Sequence, residues 1–232
     1  MNRGLYSGVE AMSAAEKRLD VIAGNLANLS VNGYKRRTTA TQNFESTLRG
    51  RVERHIATRT TVDWSQGAIE PTGNDHDLAL AGKGFLAVET PTGEAYTRGG
   101  SMRLDSDGVL MTREGYPLAW EGGRGRIDPL GEAVRIDPEG YIWQDDAQVG
   151  QLKLAHFQDL ARLQRDSDGY LHAPPSLKPA AHELEVRQGY LERSNASAVD
   201  EMIALVATQR SYESAARLMS SIEQGYRRLT AR

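Results

Sequence analysis

Apolar positions recur every seven residues at both ends of the chain. Leu5, Met12, Leu19 and Leu26 share one heptad position, and Gly8, Ala15, Ile22 and Leu29 share the position three later. Such an a/d stripe held over four heptads predicts a long helix whose apolar seam seeks a second helix. Gly8 and Ala15 are small, so a partner helix can approach closely at that end. Asn32-Gly33 followed by Tyr34 reads as a Schellman-type stop, with Lys35, Arg36 and Arg37 where a helix dipole favours cations. The far end repeats the form: Leu205, Tyr212, Met219 and Tyr226 recur at sevens, with Thr208, Ala215, Ile222 and Leu229 three residues on. Ser197 is placed as an N-cap, with Asp200 as a shortened capping-box acid. Two such stripes bury little area against the entropy of ordering both arms, so the arms are expected to take further partners, copies of the chain first.

Between the arms the period changes from seven to two. Leu78–Leu80, Phe85–Val88, Tyr96–Arg98, Met102–Leu104, Val109–Met111, Val134–Ile136, Tyr141–Trp143 and Leu152–Leu154 alternate between turn signals such as Asp105-Ser-Asp-Gly108 and Asp137-Pro-Glu-Gly140. All 8 Pro and most of the 23 Gly fall in this middle stretch, and the arms hold no Pro. Short strands at roughly ten-residue spacing predict an antiparallel all-β body, a roll or small barrel. The expected class is therefore α+β, with N- and C-terminal helices pairing as a coiled coil on either side of that body. The expected division is a helical arm over 1–35, a basic linker over 36–76, the β domain over 77–175, a return linker over 176–196 and the second arm over 197–232.

A chain of 232 residues with 39% apolar and 25% charged positions suits one globular domain or two small ones. The net charge of −3 argues against a general polyanion binder. The absence of Cys excludes disulfides, thiolate metal sites and cysteine nucleophiles. No apolar run approaches the ~18 residues of a membrane span, and the first residues lack a signal-peptide core, so membrane insertion is not expected and any export uses no cleaved signal.

Candidate chemistry is thin. Gly82-Lys83-Gly84 lacks the spacing and following hydroxyl of a phosphate loop and joins strands, so it reads as a turn. The Asp-Ser-Asp-Gly segments at Asp105 and Asp166 lack the third ligand and downstream Glu of a calcium loop and read as turns as well. His55, His76, His156, His172 and His182 never stand three or four apart, so no helical metal pair exists. No nucleophile elbow occurs. No catalytic residue, cofactor or metal is expected. From Lys35 to Arg59 seven cations stand against Glu45 and Glu53. Without a nucleic-acid motif around them they read as a solvated or subunit-facing segment, and no nucleic-acid partner is expected.

Asn25-Leu26-Ala27-Asn28-Leu29-Ser30-Val31-Asn32-Gly33-Tyr34-Lys35 resembles the N-terminal signature of bacterial flagellar rod and hook proteins. Gly189-Tyr-Leu-Glu-Arg-Ser194-Asn195, with Glu201-Met202 and Gln209-Arg210-Ser-Tyr212-Glu213, resembles their C-terminal signature. Asp77-Leu-Ala-Leu-Ala-Gly-Lys-Gly-Phe85 and Tyr96-Thr-Arg98 resemble the central β segment. Val31, Ala196 and Ala216 are mild departures.

The chain is shorter than hook proteins and longer between its arms than the smallest rod subunits, so it is most similar to proximal rod proteins, with distal rod or short hook-like axial proteins as the alternative. A peptidoglycan-binding β body is a remote third. The resemblance implies a structural subunit of the periplasmic rod, exported by the flagellar type III apparatus and partnered by its own copies and other axial proteins. It implies that the helices pair in an inner layer with the β body outside. The seam of Leu5, Met12, Leu19, Ile22, Leu26 and Leu29 would then pack on Leu205, Tyr212, Met219, Ile222, Tyr226 and Leu229. Asn25, Asn28, Gly33, Tyr34, Ser194, Asn195, Glu201 and Arg210 are its signature positions, and Asn28, Asn32 and Gly33 are expected to fix the turn out of the first helix.

Overall fold

Two long helices flank the β segments in a computed structural model that describes residues 3–48, 51–123, 125–180 and 184–230. Side chains are described for 8–40, 58–123, 125–180, 184–225, 227 and 228. The side chains of Leu5, Tyr226, Leu229 and His55, and all of His182 and Arg49, lie outside the described residues. The chain divides into two compact units: Met1–Leu29, Lys35–Trp64 and Ala196–Arg232 form one, and Ser30–Tyr34 with Ser65–Asn195 form the other.

The first unit holds α1 (Arg3–Ala27), the hairpin strands β1 (Arg37–Leu48) and β2 (Arg51–Val62), and α2 (Ala198–Thr230). The helices pack on each other, and the hairpin packs on α1. Gly8 makes the close approach its size permits: a Cβ there would lie 2.4 Å from Met219 Sδ. Ala15 and Ile22 are buried, while Met12, Leu19 and Leu26 are half-buried. On α2, Leu205, Tyr212, Met219 and Ile222 are half-buried, and among its described residues the fully buried ones are Glu201 and Thr208. Thr208 Oγ1 satisfies itself on the Ala204 carbonyl (2.7 Å). α2 starts where its cap dictates: Ser197 Oγ accepts from the Asp200 N–H (3.4 Å).

Two local features differ from the sequence pattern. α1 ends at Ala27, so Leu29 sits in the turn beyond the helix rather than in the stripe. Its N–H and that of Asn28 reach back only three residues, to Leu26 and Asn25. Gly33 has the positive φ (+71°) expected of a stop residue, but its N–H goes to the Glu192 carbonyl (2.7 Å) and not to a helical carbonyl. It is therefore not the helix cap. The stretch read as a basic linker also carries regular structure. Arg37 pairs with Val62 and the ladder runs unbroken to Leu48 opposite Arg51. Thr38 and Thr61 share a cross-strand hydroxyl hydrogen bond of 3.0 Å.

The second unit is the β body. Its strands are β3 (Ile69–Pro71), β4 (Leu78–Gly82), β5 (Phe85–Thr90), β6 (Gly93–Thr97), β7 (Met102–Leu104), β8 (Leu110–Thr112), β9 (Arg135–Ile136), β10 (Tyr141–Gln144), β11 (Ala147–Gln151), β12 (Leu154–Ala155), β13 (Gln164–Arg165), β14 (Leu171–His172), β15 (Leu184–Gln188) and β16 (Tyr190–Glu192). All ladders are antiparallel. The largest sheet runs β12-β5-β6-β14-β13, beside smaller sheets β11-β10-β9, β15-β4, β16-β3 and β7-β8. One core, including Leu80, Leu86, Val88, Leu118, Ile142 and Leu152, lies among them.

The acidic turns work as turns. Asp105 Oδ1 accepts the N–H groups of Asp107 and Val109, and Asp166 Oδ1 those of Asp168 and Tyr170, all at 2.8–3.0 Å. Gly82–Gly84 joins β4 to β5, and a Cβ at Gly84 would meet Leu184 Cδ2 at 2.0 Å, so packing explains that glycine. Among the described residues no group of three acidic or His side chains is placed to hold a metal ion, and no helix is long and apolar enough to cross a membrane.

Candidate assembly elements

In the helical unit the signature positions hold the ends of the helices. Asn25, fully buried on α1, grips the start of β1 at two points: its Nδ2 donates to the Arg37 carbonyl (2.8 Å) and its Oδ1 accepts the Arg37 N–H (2.9 Å). An amide offers a donor and an acceptor on two neighbouring atoms, which matches a backbone N–H and C=O together. Asn28 Nδ2 donates to the Gly24 carbonyl (2.7 Å), satisfying one of the carbonyls that the last turn of α1 leaves open. Glu201, 1% exposed in the first turn of α2, accepts from Arg36 Nε. Arg210 stands apart on the exposed face of α2.

Asn25→Ala is expected to lower the stability of the helical unit by about 1–3 kcal/mol, because two buried backbone groups lose their partners at once. Urea unfolding followed by far-ultraviolet circular dichroism measures this. A change under about 0.5 kcal/mol, the size of an ordinary surface substitution, contradicts the clamp.

In the β body Gly33, one of the remaining signature residues, meets Glu192. Its side chain is fully buried: Oε1 accepts the Gly67 N–H (2.9 Å), Oε2 accepts from Arg98 Nη1 (2.9 Å), and its own carbonyl receives the Gly33 N–H. Arg98 Nη2 donates to the Gly82 carbonyl, and its guanidinium lies 5.6 Å from the centre of the Phe85 ring. A buried ion pair with its remaining donors also engaged holds a unique geometry rather than simply adding stability. Gly33 fits because the Arg98 backbone leaves no room: a Cβ there would lie 2.3 Å from the Arg98 carbonyl carbon and oxygen.

Tyr34 is buried with Arg165 over its ring at 5.4 Å, and its carbonyl accepts the Asn195 N–H (3.4 Å). Asn195 Nδ2 reaches the carbonyl and hydroxyl of Ser65. Ser194 beside it is half-buried. Asn32 Oδ1 is buried with no partner among the described residues. Nearby on β6, Tyr96 donates to Glu94 Oε1 (2.6 Å), and burial together with that carboxylate pushes its hydroxyl well above the ordinary tyrosine range.

The Glu192–Arg98 pair escaped the sequence analysis although both residues stand inside quoted motifs. A lone Glu and a lone Arg 94 positions apart carry no periodic signal. The available hint was an acid and a base each embedded in apolar strand pattern, where a charge is costly unless paired.

Comparison with known proteins agrees with these elements. Residues 5–35 match the model described as flagella basal body rod protein, residues 79–151 the flagellar hook protein FlgE/F/G D1 domain, and residues 187–231 the flagellar basal body rod FlgEFG protein C-terminal. Flagellar basal-body rod protein FlgF of Caulobacter vibrioides is 31% identical over 95% of this chain and 94% of its own length. FlgF of Escherichia coli is 30% identical over 96% and 95%, and FlgG of Bacillus subtilis 28% over 97% and 96%. With three family blocks in order and such identity over nearly the full length of both proteins, the chain belongs to the flagellar basal-body rod protein family.

Proposed function

We propose that this chain is a non-enzymatic subunit of the flagellar rod, of the FlgF type, that packs through its two helices against copies of itself and other axial proteins to transmit torque. Membership of the rod family supports a structural role in the basal body. The observation that carries the packing mode is the apolar surface of α2: Val199, Met202 and Ile203 are 65%, 57% and 64% exposed, and Val206 and Leu218 also face outward. An isolated domain does not gain from leaving such a stripe open along one helix, whereas a subunit covered by neighbours does. α1 and α2 pair as a coiled coil along their seams, the β segments form a roll, and the protein reaches the periplasm through the flagellar type III apparatus.

Deleting the gene in the parent bacterium should abolish swimming and leave basal bodies without complete rods in electron micrographs. Leu19→Asp at the chromosomal locus should do the same, since it puts a charge into the seam. Normal rods and motility in the deletion strain would refute the rod assignment. Normal rods in the Leu19→Asp strain would refute the seam alone.

A further inference from the structure

Three arginines converge on one cavity of about 320 Å³ within the helical unit. Arg18 comes from α1, Arg36 and Arg37 from the entry to β1, and Glu201, Ala204 and Ala207 of α2 complete the wall. Their charges do not balance. Glu201 answers Arg36, while Arg18 Nε has only a long contact to the Thr39 hydroxyl (3.4 Å).

The Arg37 backbone is held, and its guanidinium has no anion among the described residues. Asn25 clamps its backbone, and its guanidinium lies so close to Gly24 that a Cβ there would come within 2.6 Å of Nη2. Its Nε is buried with no acceptor among the described residues. A guanidinium is a planar donor fork with no acceptor of its own, and its fork matches the two oxygens of a carboxylate. Buried donors left open are rare and call for a cause.

The position of the cavity says what fills it. At ~100° per residue, Ala207 and Ala204 lie about 80° and 140° around α2 from Val199, with Ile203 at about 40° and Glu201 and Thr208 near 180–200°. The cavity therefore opens on the flank of α2, between its inner face and its exposed apolar stripe. A protein surface that covers the stripe also reaches the cavity mouth. The chain carries a matching surface: Glu16 and Asp20 stand one turn apart on α1, both exposed and without a partner among the described residues. A helical polymer needs two different, complementary patches on each copy.

We propose that the Arg18–Arg36–Arg37 cavity is a carboxylate receptor that takes Glu16 or Asp20 of a second copy during assembly. This rests on the self-assembly reading above. The experiment follows assembly of the purified full-length chain by light scattering and sedimentation at low ionic strength, where charge contacts are least screened. Arg37→Glu alone and the double variant Glu16→Arg/Asp20→Arg alone should each raise the concentration needed for assembly about tenfold or more. An equimolar mixture of the two should restore assembly, because copies can alternate: the intact pocket of the double variant takes Glu16 or Asp20, and the Arg37→Glu pocket, its remaining cations balanced by Glu201 and the new carboxylate, no longer repels the arginines of the double variant.

Thermal melts verify folding, and Arg18→Glu replaces Arg37→Glu if the latter unfolds. Failure of the mixture to assemble, or wild-type behaviour of both variants, overturns the receptor while leaving self-assembly intact. A wild-type chain that stays monomeric overturns both. Stabilisation of the wild type by inorganic phosphate that is lost in Arg37→Glu, with assembly unchanged, would mark a site for free anions and overturn the docking contact.

Discussion

Replacing Gly33 by alanine is expected to destabilise the β body by about 3 kcal/mol or more, far beyond the usual cost of adding a methyl group. Two costs combine. The backbone there sits at φ +71°, where an L-residue pays about 1–2 kcal/mol. The new Cβ would also lie 2.3 Å from the Arg98 carbonyl, a backbone group that cannot swing aside. Relief requires moving Arg98, and with it the hydrogen bond that Gly33 gives Glu192 and the ion pair beyond it.

Gly73 supplies the control. Its φ is nearly the same, +73°, but a Cβ there meets nothing within 4 Å. Gly73→Ala should therefore cost only the conformational part. In a differential scan the Gly33 variant should lose roughly 10 °C or more and the Gly73 variant about 3–8 °C, given a shift of ~3–4 °C per kcal/mol for a body of this size. Equal shifts would mean that packing against Arg98 carries no cost.

The second large effect concerns the buried pair itself. Glu192→Gln and Arg98→Met should each cost about 3–5 kcal/mol, because each leaves one charge buried without its partner. The glutamine variant is the more telling. Its amide oxygen still accepts the Gly67 N–H, which turns its NH2 toward the Arg98 guanidinium, donor against donor. The double variant removes both charges and should cost markedly less than the sum of the two. Urea titrations read through Trp120 and Trp143 of the β body measure all three. Additive losses would show that the pair acts as two independent groups.

Several elements are legible in the sequence. The heptads marked both helices, and Ser197 located the start of α2 to the residue, because a cap is chemistry between neighbours in sequence. Period-two alternation found the strands from Leu78 to Leu154, since one face of each is buried in a shared core. The Asp105 and Asp166 turns were equally local, each carboxylate serving N–H groups two and four residues on.

The β1–β2 hairpin is not legible in the sequence, because its charge masks a Thr, Val and Ile content that favours strands. The end of α1 is equally hard to read, because Gly33 has the look of a helix cap while its conformation answers Arg98, 65 positions later. The same limit hid the cavity of Arg18, Arg36 and Arg37.

By itself, then, the sequence determined the two helices, the character of the β body and the family, because these rest on periods, caps and motifs contained in short stretches of chain. Only the tertiary structure decided which buried charges meet, why Gly33 admits no side chain and where Arg37 Nε lies buried with no acceptor among the described residues. Those are facts about groups brought together by folding. Chain entropy makes such contacts costly to form, and no local pattern of residues records them.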